Sequence, residues 1–125
     1  MRVQFFTDSL VSAIGPGVYQ IFIQTKKGKK LLYVGESVFV LVRCATHLYE
    51  ISKGNGYLGF NEKIIGNENI TVVFKLYQNV EQKPERVAIE TKLIQDEHPV
   101  MQTGTRDRVK PVKNMIAELK NILNN

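Results

Sequence analysis

The sequence predicts an α+β fold: a three-stranded antiparallel β-sheet flanked by helices, with an additional helix at the C-terminus. Two runs rich in Val, Ile, Phe and Tyr adjoin a lysine-rich turn, and a third such run follows at residues 70–77. Segments with helix signals lie between and after these runs. Because the chain has 125 residues, 43% hydrophobic and 23% charged, we expect one globular domain over residues 1–125.

The first part of the chain predicts a short helix and then a β-hairpin. FFTDSLVSAI, residues 5–14, has helix signals, and the following Gly-Pro-Gly ends it. The next stretch, GVYQIFIQTKKGKKLLYVGES, predicts antiparallel strands at residues 18–25 and 31–35. Gly28 supplies the backbone freedom that the KKGKK turn requires.

The segment after the hairpin predicts a helix over residues 38–52, with Ser37 as its N-cap and Gly54 just beyond its end. Arg43 and His47 are four residues apart and so share one face of that helix. A second face is expected to pack in the core and carries Leu41, Ala45 and Leu48.

The second half predicts a strand between two helical regions. Residues 54–69 are rich in Gly and Asn, with a short helical turn at NEKII, and ITVVFKLY at 70–77 is a strand. Pro84 suits the first turn of a helix that runs to about Glu97. The predicted core residues of that helix are Val87, Ala88, Leu93 and Ile94.

The tail, residues 103–125, predicts a polar loop followed by an amphipathic helix. Its apolar residues recur at spacings of four, three and four, which is a helical period. They are Val112, Ile116, Leu119 and Leu123. This face packs either on the core or on a second copy of the chain, and both readings stay open.

The charge of the chain favours a polyanionic partner. The formal net charge is +5 and the isoelectric point is near 9.4, which fits nucleic acid. Four lysines cluster in the hairpin turn: Lys26, Lys27, Lys29 and Lys30. They either track a DNA backbone or keep an exposed turn soluble.

Cysteine content and hydropathy favour a cytoplasmic protein. The single cysteine, Cys44, excludes an internal disulfide and is expected to be a small buried hydrophobe. No apolar run approaches the roughly 18 residues that span a bilayer. The first residues lack the pattern of a signal peptide.

Several polar residues are not needed for a core and together fit phosphodiester chemistry. Tyr19 and Tyr33 lie on neighbouring strands, and Arg43 and His47 rise from the following helix. A guanidinium binds phosphate, and a phenol or imidazole can accept a proton from water. The carboxylate of Glu90 could hold one hard divalent cation. The flanking glycines, 17 and 35, are expected to leave the sheet edge open to a substrate backbone.

The order and spacing of these residues resemble the GIY-YIG nuclease superfamily. The family pattern has Gly-Ile-Tyr and Tyr-Ile-Gly strands, a helix with Ser, Arg and often His, a helix with a metal-binding Glu, and Pro-x-x-Asn. Here GVY, YVG, the Ser before RCATH, and IETKLIQDEHPVMQ occupy these places. The match covers residues 15–102. One departure is Gln102 at the place of the Asn, and whether it weakens the site stays open.

The resemblance implies that the chain is a single-site DNA endonuclease dependent on one Mg²⁺ or Mn²⁺ ion. It implies that Tyr19 helps to activate the attacking water and that Tyr33 assists or orients it. It further implies that Arg43 stabilises the phosphate, that His47 is a general base or phosphate contact, and that Glu90 binds the metal.

Nucleic-acid contacts are expected from the four lysines of the turn together with Gly35, Ser37 and Gln102. Residues 103–125 are too short for an added DNA-targeting domain, so specificity would come from the loops, a homodimer or a separate targeting partner. Two alternatives stay open: a nucleic-acid-binding module that does not cut, and a protein-interaction domain that uses the C-terminal helix.

Overall fold

The computed structural model describes residues 1–103 and 109–124, and it shows an α+β fold. The strands are β1 (Arg2–Phe5), β2 (Gly17–Thr25), β3 (Gly28–Ser37), β4 (Asn55–Tyr57), β5 (Phe60–Asn61) and β6 (Thr71–Asn79). The helices are a 3₁₀ turn (Ser12–Ile14), α1 (Val40–Ser52), α2 (Glu62–Ile65), α3 (Lys83–Glu97) and α4 (Val112–Asn124). Residues 104–108 of the predicted polar loop lie outside the described residues. No helix within the described part of the chain is long and apolar enough to cross a membrane.

The main sheet has four strands in the order β1-β6-β2-β3. The three predicted strands form its antiparallel part, β6-β2-β3, and β1 adds a parallel partner to β6. The predicted helix over residues 5–14 is wrong: only a 3₁₀ turn forms there. The rings of Phe5 and Phe6 pack on Phe74 of β6, which draws the first residues into the sheet. This long-range packing overrides the local helix signals.

The hairpin of β2 and β3 contains an irregularity that sets which side chains face the core. Ile21 pairs with Tyr33, but Phe22 pairs with Leu31, so Leu32 is an extra residue on β3. Both Leu32 and Tyr33 therefore enter the same buried cluster. This is the larger core, and it holds residues from α1 and α4 as well.

The two faces of the sheet are covered by different helices. Tyr19 packs in the larger core with Cys44 of α1, whereas Val18 packs with Ile94 of α3 in a second, smaller cluster. Successive residues of a strand point to opposite faces. Helix α1 and the site residues that it carries therefore lie on one face of the sheet, and α3 lies on the other.

Helix α1 confirms the predicted segment but buries a different stripe. The predicted core residues Leu41 and Leu48 are half-buried and Ala45 is exposed. The helix starts at Val40, and the Ser37 hydroxyl accepts a hydrogen bond from the Phe39 amide without capping the helix. The fully buried residues of α1 are Val40, Cys44, His47 and Ile51.

Helix α3 also differs from the prediction in its buried face. Val87 is half-buried and Ala88 exposed, while Arg86 and Glu90 are buried beside the predicted apolar pair, Leu93 and Ile94. Arg86 is buried because it forms an ion pair of 2.9 Å with Glu36 of β3. A polarity-based pattern cannot predict a charged residue that is buried through its partner.

The C-terminal helix packs on the core of its own chain, which confirms one of the two readings. Met115 and Leu119 are buried in the larger cluster, whereas Val112, predicted to face the core, is largely exposed. The helix lies against the small hairpin of β4 and β5 within the loop at residues 54–69. A Cβ at Gly56 would collide with Ile116, so this glycine admits the helix.

The outer edge of β3 is closed by residues 100–102. The amides of Val100 and Met101 donate to the carbonyl oxygens of β3. The Gln102 side chain continues this pairing: its Oε1 accepts from the Val34 amide at 2.9 Å, and its Nε2 donates to the Val34 carbonyl at 2.8 Å.

We expect Gln102→Ala to lower the free energy of unfolding by about 2–4 kcal/mol, because it leaves two buried backbone groups of Val34 without partners. Urea unfolding of the purified variant measures this change. Gln95→Ala, at an exposed position of α3, is the matched control and should change stability by less than about 0.5 kcal/mol. Equal stability of the two variants would contradict the structural role of Gln102.

Candidate active site

Tyr19 can cross the hairpin because the residue opposite it is a glycine. The register of β2 with β3 pairs Tyr19 with Gly35. A Cβ at Gly35 would overlap the ring and hydroxyl of Tyr19, so the phenol lies across the bare backbone. From the sequence, this space was predicted to admit a substrate backbone. That prediction is wrong, because Tyr19 fills the space.

Gly17 likewise serves packing within the sheet. A Cβ at Gly17 would collide with the carbonyl oxygen of Gln78 in β6, and Gly17 is buried. Both glycines of the two tripeptides therefore permit close internal contacts.

His47 lies between two phenols and is buried, with 3% of its surface exposed. Its Nε2 is 2.8 Å from the hydroxyl of Tyr19, and its Nδ1 is 2.7 Å from the hydroxyl of Tyr57. Both distances are those of good hydrogen bonds. We call this arrangement the Tyr19–His47–Tyr57 chain.

Tyr33 packs against the middle of this chain. Its ring centroid lies 5.1 Å from that of His47, in an edge-on arrangement, and 6.3 Å from that of Tyr19. Such contacts between rings favour a fixed orientation of the imidazole. Tyr33 is buried, so its position also depends on the extra residue of β3 described above.

Arg43 brings a positive charge to the same place. It lies one turn before His47 on α1 and is exposed, whereas His47 is buried. The Arg43 guanidinium lies close enough to Tyr19 to lower the pKa of its phenol. Arg43 and His47 were predicted to share one face of α1, but their environments differ. The guanidinium is exposed to solvent and the imidazole points into the core.

The surroundings of Tyr19 strongly favour its neutral form. Burial raises the pKa of Tyr19 far above its usual value, and Tyr33 and Cys44 raise it further. The nearby guanidinium of Arg43 lowers the pKa in part. Burial similarly raises the pKa of the Cys44 thiol, which is buried as predicted. A phenol in this environment acts as a hydrogen-bond donor and acceptor and does not persist as a phenolate.

Glu90 lies in the other layer of the fold. It is on α3, on the opposite face of the sheet from Tyr19 and His47, with 1% of its surface exposed. Helix α3 packs on β3, the edge strand of the sheet. Residues 100–102 cover this edge from Leu31 to Val34. Glu90 and the Tyr19–His47–Tyr57 chain can therefore act on one substrate only around the end of β3 beyond Val34.

The donor chemistry of Glu90 fits one hard divalent cation. Mg²⁺ commonly takes one or two carboxylates from a protein and fills its remaining positions with water and substrate oxygens. Within residues 1–103 and 109–124, no three His, Cys, Asp or Glu side chains are grouped so that they could hold a metal ion. Any ion at Glu90 would thus depend on water and substrate for most of its ligands.

The other residues predicted to contact nucleic acid are placed as follows. The four lysines of the hairpin turn are all exposed, and Ser37 is half-buried at the end of β3. Gln102 is buried, and its side-chain amide is hydrogen-bonded to the backbone of Val34. The structure therefore gives Gln102 a part in closing the edge of the sheet.

Tyr57 belongs to the site but was not predicted from the sequence. It stands in the segment GNGYLGFN, which was predicted to be loop and forms the hairpin of β4 and β5. The available signal was a tyrosine bracketed by glycines. Gly56 and Gly59 both have positive φ angles, of 95° and 89°, which a turn around this tyrosine requires.

No protein-family model, curated protein or solved structure matches the chain. The assignment of a function therefore rests on the geometry of these side chains and on the order of the motifs.

We expect Gly35→Ala to lower the free energy of unfolding by about 1–3 kcal/mol, because the new methyl group displaces Tyr19 from a packed site. Chemical denaturation measures the loss. Gly15→Ala is the control, since the atoms nearest to a Cβ there are 3.7 Å away. The double variant Gly35→Ala, Tyr19→Leu should lose less free energy of unfolding than the two single variants lose together. Full additivity would contradict the fit between positions 19 and 35.

We expect the folded protein to lose stability above pH 10 partly through Tyr19. The unfolded phenol ionises near its usual pKa of about 10, while the raised pKa keeps the folded phenol protonated. The unfolded state then binds fewer protons, so the stability falls by up to about 1.4 kcal/mol per pH unit. Urea unfolding from pH 8 to 11 should show a shallower fall for Tyr19→Phe than for wild type. Parallel curves of unfolding free energy against pH for Tyr19→Phe and wild type would contradict this role of Tyr19. The control, Tyr77→Phe, changes an exposed tyrosine and should follow the wild-type curve.

Proposed function

We propose that the protein is a divalent-metal-dependent endonuclease of the GIY-YIG type that hydrolyses DNA phosphodiester bonds at a single site. One observation supports this above all. Arg43, an exposed guanidinium, lies close enough to the buried Tyr19 to lower the pKa of its phenol, and Tyr19 is hydrogen-bonded to the buried His47. A phosphate-binding cation thus adjoins a chain that can accept a proton, and phosphodiester hydrolysis needs both.

In the proposed reaction, Arg43 binds the non-bridging oxygens of the scissile phosphate and stabilises the charge that develops there. A lone pair of the attacking water forms the new P–O bond. The bond from phosphorus to the leaving sugar oxygen breaks, and its electron pair goes to that oxygen, which takes a proton from solvent.

The proton of the attacking water passes to the Tyr19 oxygen while the Tyr19 proton passes to Nε2 of His47. Tyr19 therefore remains neutral throughout, which fits the raised pKa of its phenol. His47 becomes cationic, and its Nδ1–H donates to Tyr57. It returns its proton to water when the products leave. Tyr33 holds the imidazole in the plane that this transfer requires.

Glu90 would hold the metal ion, Mg²⁺ or Mn²⁺, one per site. A bound divalent cation polarises the phosphate and stabilises charge on the leaving oxygen. Both carboxylate oxygens of Glu90 are buried, so this role requires the side chain to become accessible to the ion when DNA binds. The remaining ligands of the ion would then come from water and substrate.

A second function, nucleic-acid binding without cleavage, is favoured by the lysine turn. Lys26, Lys27, Lys29 and Lys30 are all exposed on the hairpin tip. Phosphate contacts of this kind give salt-dependent affinity whether or not cleavage follows. The DNA site would then be chosen by this turn, by a homodimer or by a separate targeting partner.

We expect the wild-type protein to nick supercoiled plasmid with Mg²⁺ or Mn²⁺, and Arg43→Ala and Glu90→Gln each to lose about 100-fold or more in rate. Agarose gels of a plasmid time course measure the rates. Arg2→Ala and Glu97→Gln change exposed residues of the same types and should cut like wild type.

Cleavage that survives both Arg43→Ala and Glu90→Gln would overturn the site. Wild-type protein that binds DNA, releases it as salt rises and cuts no substrate would favour the binding module instead.

A further inference from the structure

The Tyr19–His47–Tyr57 chain can carry its hydrogens in two ways, because either nitrogen of a neutral imidazole can bear the proton. In one arrangement Tyr19 donates to Nε2 and Nδ1–H donates to Tyr57. In the other, Tyr57 donates to Nδ1 and Nε2–H donates to Tyr19. Only the first leaves Nε2 able to accept a proton through Tyr19, so the choice decides whether the chain can serve as a base.

The partners of Tyr19 select the first arrangement. Within the described residues, the Tyr19 hydroxyl has a hydrogen bond of 2.8 Å to Nε2 of His47, and the guanidinium of Arg43 lies near enough to lower the pKa of the phenol. A guanidinium only donates, so of the two only Nε2 of His47 can accept the Tyr19 proton. Tyr19 is 1% exposed, and a hydroxyl proton buried without an acceptor costs about 1–3 kcal/mol.

The other nitrogen must then carry the proton and needs an acceptor. Nδ1 lies 2.7 Å from the hydroxyl of Tyr57. Tyr57 is half-buried, whereas Tyr19 is 1% exposed, so placing a hydroxyl proton outside the chain costs less at Tyr57 than at Tyr19. The rings of His47 and Tyr57 are also stacked, with centroids 5.9 Å apart and planes inclined by 29°.

We infer that Tyr57 is a positioning residue. Its hydroxyl accepts a hydrogen bond from Nδ1–H of His47 and thereby holds the imidazole in the tautomer whose unprotonated Nε2 can take a proton from Tyr19. This is the less common tautomer of histidine in water, where Nε2–H is preferred. The meaning of this tautomer for DNA cleavage rests on the proposed function, whereas the tautomer itself does not.

The backbone around Tyr57 is built to hold it in place. Leu58, which follows it, is fully buried, and its φ of 50° is one that non-glycine residues rarely adopt. Gly59 lies so close to α4 that a Cβ there would collide with the Met115 carbonyl oxygen. The C-terminal helix therefore fixes the hairpin that carries the Tyr57 hydroxyl.

The test is a long-range ¹H–¹⁵N correlation spectrum of the ¹⁵N-labelled full chain without DNA. The sequence has two histidines, and His98, which is exposed, provides an internal reference. In wild type we expect the His47 signals of a protonated Nδ1 and an unprotonated Nε2. In Tyr57→Phe, which keeps the stacked ring, Nδ1–H loses the hydroxyl that accepts it. The population of the Nε2–H tautomer should therefore rise, although Tyr19 still favours an unprotonated Nε2.

Two further variants complete the test. Tyr19→Phe should retain Nδ1–H, because the Tyr57 hydroxyl is still present to accept it. This variant tests the inference even if Tyr57→Phe does not fold. In the plasmid assay Tyr57→Phe should cut at least about 10-fold more slowly. Tyr49→Phe, at an exposed position of α1, should cut like wild type.

A wild-type spectrum with Nε2–H, or a Tyr57→Phe spectrum in which both His47 nitrogen shifts are unchanged, would overturn the inference. So would retention of the full cleavage rate by Tyr57→Phe. If wild type cuts no DNA but shows Nδ1–H that Tyr57→Phe loses, the tautomer assignment stands and the proposed function fails.

Discussion

The burial of His47 is the constraint on which the surrounding structure depends. An imidazole removed from water is costly unless both nitrogens have hydrogen-bond partners. Here the partners are two phenols from different parts of the chain, Tyr19 of the sheet and Tyr57 of the small hairpin. Each phenol is itself partly or wholly buried, so all three side chains must be in place together. A network of this kind is stabilising only when every member is satisfied.

This requirement links elements that are distant in the sequence. Strand β2 must approach β3 closely enough for Tyr19 to lie across Gly35, and α1 must start where His47 points inward. The hairpin of β4 and β5 must pack against α1. Helix α4 holds it there, because α4 lies in close contact with Gly56 and Gly59 of the hairpin. A change in the C-terminal helix would thus reach the candidate site through Tyr57, although no residue of α4 belongs to it.

The elements with a clear period were predictable from the sequence. Strands β2, β3 and β6 and helices α1, α3 and α4 carry runs long enough to show alternation or a helical stripe. The order of the motifs also predicted that Tyr19, Tyr33, Arg43, His47 and Glu90 lie together. The first four share one face of the sheet, and Glu90 does not.

The parts that could not be predicted depend on contacts between distant residues. Strand β1, where no element was predicted, forms because it pairs in parallel with β6, about 70 residues later. Strands β4 and β5, of three and two residues, are too short to show a period, so Tyr57 was missed. The inward turn of His47 and the burial of Arg86 depend on partners that no periodicity identifies. The placement of Glu90 in the opposite layer follows from which face α3 covers, which the motif order does not state.

The fit of Tyr19 over Gly35 also has an evolutionary consequence. Position 35 can accept a larger residue only if position 19 first becomes smaller, and a smaller residue there loses the hydroxyl that bonds His47. While the phenol is under selection, neither position can change by a single step. Homologues that have lost the phenol would be released from this restriction, and both positions should then drift. A glycine retained at position 35 would mark, from sequence alone, the relatives that keep a working chain.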